Sequence, residues 1–251
     1  SVNRDVTEQR EIDRVKNEFI SVVSHELRTP LTSIMGSLSL IKSGAVGELN
    51  GEASGMIDIA HSNSERLVRL INDILDLEKI EAGRMDFSIA PLDAMTLMNQ
   101  AVSDNHGFGD NSKIKLKISA PVNNVSVLGD PDRLAQVFAN LISNAIKFSP
   151  EGATVEIGAI RRGQKIRFFV KDYGPGISAN FRSAIFGKFS QEDSSATRQK
   201  GGTGLGLSIC KTIIDRLDGE IGFESVEGEG SEFFFDLPET VSETLDTTIS
   251  T

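Results

Sequence analysis

The sequence of 251 residues predicts an α + α/β chain, a long helical hairpin followed by a mixed α/β domain. Three observations carry this expectation. Apolar residues recur at Ile12, Val15, Phe19, Val22 and Val23 and again at Ile34, Leu38 and Ile41, a spacing that puts one apolar stripe on a helix. A second stripe, Ile57, Ala60, Leu67, Leu70, Ile71, Ile74 and Leu77, follows a turn at Gly44 and Gly47. Beyond Pro91 the texture changes to short alternating segments set between helical ones.

The first helix is expected from about Val6 to Lys42, roughly 50 Å at about 1.5 Å per residue. A helix of that length needs partners along all of it. The second, ending near Gly83, covers only one of its faces. Pairing two hairpins into a four-helix bundle buries the remainder, so a homodimer is expected. Pro30 removes a helix hydrogen bond and predicts a bend.

In the second half, helices are expected at Asp93–Val102, Pro131–Phe148 and Leu205–Leu217. Asp130 is placed to cap the second of these, with Pro131 at its first position. Strands are expected at Ile114–Ser119, Val125–Leu128, Thr154–Ile160 and Lys165–Asp172, with a closing hairpin of Glu220–Glu224 and Ser231–Leu237. Residues 239–251 are rich in Thr and Ser and fit a disordered tail or linker.

Composition removes several function classes. A net charge of −10 argues against a nucleic-acid footprint, which needs a basic face. The single cysteine, Cys210, rules out a disulfide framework and a cysteine-based metal site, and fits a cytoplasmic setting. Cys210 lies in an apolar run and is read as a small core residue. No run of 18 apolar residues occurs, so no membrane segment is expected in this chain. The chain opens on Ser1 rather than Met, as an excised fragment would, which leaves room for a longer protein anchored in a membrane.

Three segments carry candidate chemistry. Asn140, Asn144 and Lys147 are spaced to share one helical face, where amide oxygens suit a hard cation and an ammonium suits phosphate. Asp172-Tyr-Gly174-Pro-Gly176-Ile177 sits at a strand end; its carboxylate can accept from an exocyclic amine while the glycines admit a flat ring. Gly201-Gly202-Thr203-Gly204-Leu205-Gly206-Leu207-Ser208 opens a helix, and its free backbone and the helix dipole favour phosphate. No βαβ strand leads into this segment and it lacks Gly-Lys-Ser/Thr, which excludes the Rossmann and P-loop readings. Taken singly, the first segment fits a plain solvated helix face and the second a plain turn. A lone flexible loop is a poorer account of four glycines meeting a helix start.

Together, in this order and spacing, the three segments resemble the N, G1 and G2 boxes of the ATP-binding fold shared by histidine kinases, gyrase, mismatch-repair and heat-shock chaperone ATPases. Phe186-Gly-Lys-Phe189 resembles the F box of the kinases. The resemblance implies an α/β sandwich with helices on one face of a mixed sheet. It assigns Asn144 to Mg²⁺, Asn140 and Lys147 to the phosphates of ATP, and Asp172 to adenine N6. Gly174, Gly176 and Ile177 line the base pocket, Phe189 borders it, and Gly202, Thr203, Gly204, Leu205, Gly206 and Leu207 shape the lid. The polar stretch 191–201 resembles the mobile part of that lid.

His25 lies roughly 120° or more around the helix from the stripe of Ile12, Phe19, Val23 and Ile41, so it is expected to project from the bundle. A lone outward histidine is ordinarily only solvated, the reading given to His61 and His106. The segment Phe19–Leu31 (FISVVSHELRTPL), however, resembles the H box of the commonest histidine kinase class. By that resemblance His25 becomes phosphohistidine, Glu26 assists the kinase step and Thr29 supports phosphatase activity toward a response regulator. Thr29 also stands one turn above His25, on the same face.

Asp5-Val-Thr-Glu8 resembles the short motif that closes a PAS sensor domain. The expected order is therefore a signalling helix or linker from an upstream sensor over 1–17, a dimerisation and phosphotransfer hairpin over 18–84, and an ATP-binding domain over 85–238. The ATP boxes alone equally fit a conformational ATPase of the chaperone or gyrase type. His25 in its motif, just upstream of those boxes, favours the kinase.

Overall fold

The computed structural model describes residues 23, 26–47, 49–191 and 203–240, except the side chains of Glu81 and Asn111. Residues 1–17, His25, Gly202, most of the expected lid and the tail beyond 240 lie outside the described residues. The chain divides into two compact units. Thr203–Leu205 group with the helical one, and the other comprises the chain from Asp86 onward apart from them.

In the helical unit, α1 covers residues 26–42 and α2 covers Gly51–Glu81. The turn between them uses Gly44 (φ 76°) and Gly47 (φ 117°), and Asn50 caps α2 by accepting from Ala53 N at 2.8 Å. Three contacts fix the antiparallel register. Arg28 Nη2 donates to Asn72 Oδ1 at 2.8 Å, Ser39 Oγ lies 3.1 Å from His61 Nε2, and Lys42 Nζ lies 2.9 Å from Asp58 Oδ1. Each step up α1 is matched residue for residue by a step down α2. Leu31, Met35, Leu38 and Ile41 are covered in part or whole, whereas Leu27, Ile34, Leu40, Met56, Ile59 and Leu67 stay exposed.

The second unit is a mixed sheet with helices on one face. Its elements are β1 (Ala90–Asp93), α3 (Ala94–Asn111), β2 (Lys115–Ala120), β3 (Ser126–Gly129), α4 (Pro131–Phe148), β4 (Thr154–Arg162) and β5 (Lys165–Asp172). A 3-10 turn (Arg182–Ala184), α5 (Gly206–Arg216), β6 (Glu220–Val226) and β7 (Gly230–Thr240) complete it. The strand order is β1-β3-β7-β5-β4-β2. β2 and β4 run parallel and the other pairs antiparallel. The long β7 holds β5 along one edge, while β6 and then β3 share the other.

Pro131–Phe148 is helical as the cap predicts: Asp130 Oδ1 accepts from Asp132 N (2.9 Å) and Arg133 N (3.0 Å). Three expectations fell short. The tail expected from 239 starts inside β7, where Glu239 and Thr240 pair with β3 and Arg161 donates to Glu239. β1 escaped notice because it contains Pro91, yet it is an edge strand, where a missing N–H costs little. α3 runs on to Asn111 past Gly107 and Gly109, residues that weaken a helix on propensity alone. Gly109 is needed there, since a Cβ would lie 2.7 Å from Ile114 O.

The core between helices and sheet centres on Phe138, Phe168 and Phe235, whose ring centroids lie 5.1–5.8 Å apart. Such aromatic contacts add roughly 0.5–1.5 kcal/mol each beyond their area burial. On the opposite face, Arg167 Nε and Nη2 donate to Asp236 Oδ1 and Oδ2 at 2.7 and 2.8 Å across β5 and β7. The guanidinium carbon stands 3.5 Å from the Phe234 ring centroid. Both charges are buried. Asp236→Ala should therefore cost about 3–5 kcal/mol by stranding the guanidinium, and the pair Arg167→Met with Asp236→Leu should cost far less. Urea denaturation of the variants checks this.

Candidate nucleotide site

α4 holds Asn140, Asn144 and Lys147 along one partly exposed face, because Leu134, Phe138, Leu141, Ile142, Ala145 and Ile146 take the other to the core. A Cβ on Gly206 would meet Asn140 Oδ1 at 3.2 Å, so glycine there lets the start of α5 come against α4. Lys147 Nζ lies 4.6 Å from the Phe148 ring centroid. The N-terminus of α5 thus stands beside the amide face of α4, an arrangement suited to anionic oxygens.

At the end of β5 the Asp172 carboxylate is 5% exposed. It accepts from Gly174 N at 2.9 Å and from Ser231 N. Burial pushes its pKa above the usual carboxylate value, and the two amide hydrogens offset part of that rise. A Cβ on Gly174 would lie 2.7 Å from Phe148 O; one on Gly176, at φ 71°, would lie 2.3 Å from Val226 O. Both positions require glycine. Ile177 is buried next to them, and the buried Ser149 Oγ has no hydrogen-bond partner among the described residues. An acceptor carboxylate, a glycine cradle and an orphaned hydroxyl fit a flat, polar heterocycle with an exocyclic amine.

Phe189 adopts φ 57° and is 64% exposed, a left-handed conformation that costs a bulky residue about 1–2 kcal/mol. Phe186 packs toward Phe223, with ring centroids 6.1 Å apart. Leu207 is half-buried in the first turn of α5.

Within the helical unit, Thr203 Oγ1 donates to Asp73 Oδ2 at 2.7 Å and accepts from Leu205 N at 3.2 Å. Burial raises the Asp73 carboxyl, and the Thr203 hydroxyl offsets part of the rise. Gly204 has φ 72° and Leu205 is buried. Glu26 and Thr29 are exposed on α1. No cluster of three His, Cys, Asp or Glu suited to a metal occurs among the described residues. A Mg²⁺ ion, which accepts few protein ligands and keeps water and phosphate oxygens, fits the amide oxygen of Asn144.

Sequence reasoning missed Asp73, which looks like any acidic residue on a helix, and although it placed the β6–β7 hairpin it did not connect its turn with the Asp172 cradle. The available signal was the pair Gly228 and Gly230. A Cβ on Gly230, at φ 124°, would lie 2.2 Å from Asp172 O, so this turn is shaped around the aspartate.

Comparison with known proteins assigns a family to each part of the chain. Residues 129–241 match the histidine kinase-, DNA gyrase B-, and HSP90-like ATPase family, and residues 15–83 match the His Kinase A (phospho-acceptor) domain. The circadian input-output histidine kinase CikA of Synechococcus elongatus is 40% identical over 89% of this chain and 30% of its own length. The sensor histidine kinase WalK of Bacillus subtilis is 35% identical over 93% of the chain and 38% of its own length. The chain thus spans well under half of these relatives. Among solved structures, full-length ShkA in complex with AMPPNP superposes with a TM-score of 0.70 at 29% identity, covering 90% of this chain and 46% of that one. The histidine kinase AdeS of Acinetobacter baumannii gives 0.60 at 25% identity, covering 85% and 97%. The gyrase- and chaperone-type alternative is not favoured, since the phospho-acceptor match lies directly upstream of the ATPase match. With an ATP-binding sandwich preceded by a phospho-acceptor hairpin, the chain belongs to the sensor histidine kinases of two-component signalling.

Proposed function

We propose that this chain moves the γ-phosphoryl group of ATP onto His25 and passes it to an aspartate on the receiver domain of a response regulator. The observation that carries the reading is the buried Asp172 carboxylate in its glycine cradle beside the amide face of α4. Asp172 accepts from adenine N6, with Gly174, Gly176 and Ile177 against the ring and Phe189 at its border. Asn140 and Lys147 hold phosphate oxygens, and Asn144 supplies an oxygen to Mg²⁺. That ion, when bound, offsets negative charge on the phosphates. The loop from Gly202 to Leu207 closes over the phosphates.

Phosphoryl transfer asks the protein mainly for positioning and charge neutralisation. His25 attacks as the neutral imidazole; Glu26 accepts the proton of the other ring nitrogen and keeps the attacking one free. Thr29, one turn along, places a water for the reverse hydrolysis of the phosphorylated regulator. The boundaries that go with this function are a linker over 1–17, a phosphotransfer hairpin over 18–84, an ATP-binding domain from 85 that β7 carries past 238 to Thr240, and a tail beyond it. An upstream sensor domain and a cytoplasmic site of action complete the reading. Among the described residues no helix is long and apolar enough to cross a membrane.

The working unit is a homodimer. Leu40, Met56, Ile59 and Leu67 are 49–72% exposed on the hairpin, an apolar face that a second hairpin covers. Leu40→Glu combined with Ile59→Glu should convert the dimer to monomer, checked by light scattering. An unchanged mass would remove this face from the interface. The activity itself is tested by incubating the purified chain with γ-labelled ATP and Mg²⁺. Label that is lost in acid and kept in base supports phosphohistidine; acid-stable label overturns it.

A further inference from the structure

The base pocket rests on a hairpin turn that none of the family boxes described above includes. Gly228 N donates to Pro175 O at 2.8 Å, and Ser231 N donates to the Asp172 carboxylate. The guanidinium of Arg182 donates to Ser225 O. At the centre is the Ser225 hydroxyl, which accepts from Ile177 N at 3.0 Å, donates to Gly230 O at 2.8 Å and lies 3.0 Å from Ser231 Oγ. Its one hydrogen goes to Gly230 O, so Ser231 is the donor between the two hydroxyls. Every donor and acceptor position of this hydroxyl is therefore in use.

We infer that Ser225 is the positioning residue for base recognition: its hydroxyl ties the Gly174–Ile177 loop to the β6–β7 hairpin and so holds Asp172 and the glycine cradle in register. The inference rests on the proposed adenine contact of Asp172. Among the described residues no other side-chain acceptor meets Ile177 N; Gly176 packs on Val226 of the same turn, and Gly230 packs on the Asp172 backbone. Loss of the hydroxyl leaves a part-buried N–H unpaired beneath the pocket and frees the loop to move. Ser225 touches neither base nor phosphate, so the defect falls on binding and base selectivity and spares the chemical step.

The test measures ADP and GDP affinity by calorimetry, the KM and kcat of histidine labelling, and the thermal midpoint, for the full chain. Ser225→Ala should weaken ADP about tenfold, the equivalent of one lost hydrogen bond. GDP binding should change less, KM should rise in step, and kcat at saturating ATP should hold. Ser225→Thr, which keeps the hydroxyl, should restore both affinity and KM. Ser225→Cys, with similar volume and a weak acceptor, serves if the alanine variant does not fold. Unchanged ADP affinity overturns the inference, as does an equal loss of ADP and GDP that tracks a fallen thermal midpoint. Asp172→Asn is measured in parallel. If that variant keeps the adenine preference, the base-pocket reading itself fails; if it loses the preference while Ser225→Ala does not, only the role of Ser225 fails.

Discussion

His25→Ala should bind ATP as the parent chain does and take up no label from its γ-phosphate. The argument is chemical. A phosphoryl group on imidazole nitrogen forms a phosphoramidate, which acid cleaves by protonating the leaving nitrogen and which base leaves intact. Phosphate esters of serine or threonine behave in the opposite way. The chain has only three histidines, and the other two are engaged elsewhere. His61 lies 3.1 Å from Ser39 Oγ and 3.6 Å from Glu65 Oε1, and His106 pairs with Asp110 at 2.9 Å. With His25 removed, signal should fall by on the order of a thousandfold or more, because no general base or phosphate contact substitutes for the nucleophile that forms the covalent intermediate. Acid-labile label that survives in His25→Ala would assign the transfer to another residue. Lost ADP binding in the same variant would point instead to a damaged fold.

Much of this architecture was legible before any coordinate. Helix periodicity gave α2 and its turn because an amphipathic stripe has one period over many residues, and Asp130-Pro131 placed the start of α4 because a cap is a local chemical event. Segments whose stability comes from long-range contacts were less legible. β1 is four residues with a proline and exists because β3 pairs with it. α3 continues through Gly107 and Gly109 because it packs against α4 and β2, contacts that local propensity does not contain. The candidate site shows the same division. Helical spacing puts Asn140, Asn144 and Lys147 on one face of α4, and only the resemblance of the three segments together assigned that face to a nucleotide. By contrast, the Ser225 hub joins residues 48 apart to Ile177, and the Asp73 contact to Thr203 joins residues 130 apart. Such pairings are set by topology, and neither partner carries a mark of them in its own neighbourhood.

Asp172→Asn should lower ADP affinity by on the order of a hundredfold, because a charged acceptor in a dry pocket is worth more than a neutral one and the amide group introduces a donor facing a donor. Competition should shift toward guanine nucleotides, whose exocyclic oxygen accepts where adenine donates. The same variant carries a signed pH signature. Burial holds the folded Asp172 carboxyl above its ordinary value, so the folded domain binds this proton more tightly than the unfolded chain does. The associated stability is fully present below the unfolded pKa, about 3.9 for aspartate, and is lost as pH rises through the folded value. Asparagine has no such titration. The thermal midpoint of Asp172→Asn relative to the parent should therefore rise as pH climbs from about 4 through the folded value, while nucleotide binding by the parent strengthens as the carboxylate forms. Asp73 is raised by burial in both proteins, so its contribution cancels in the comparison. A relative midpoint that falls as pH rises would mean the carboxylate is stabilised as the anion, and the cradle would then be built to hold a charge of its own rather than to read a base.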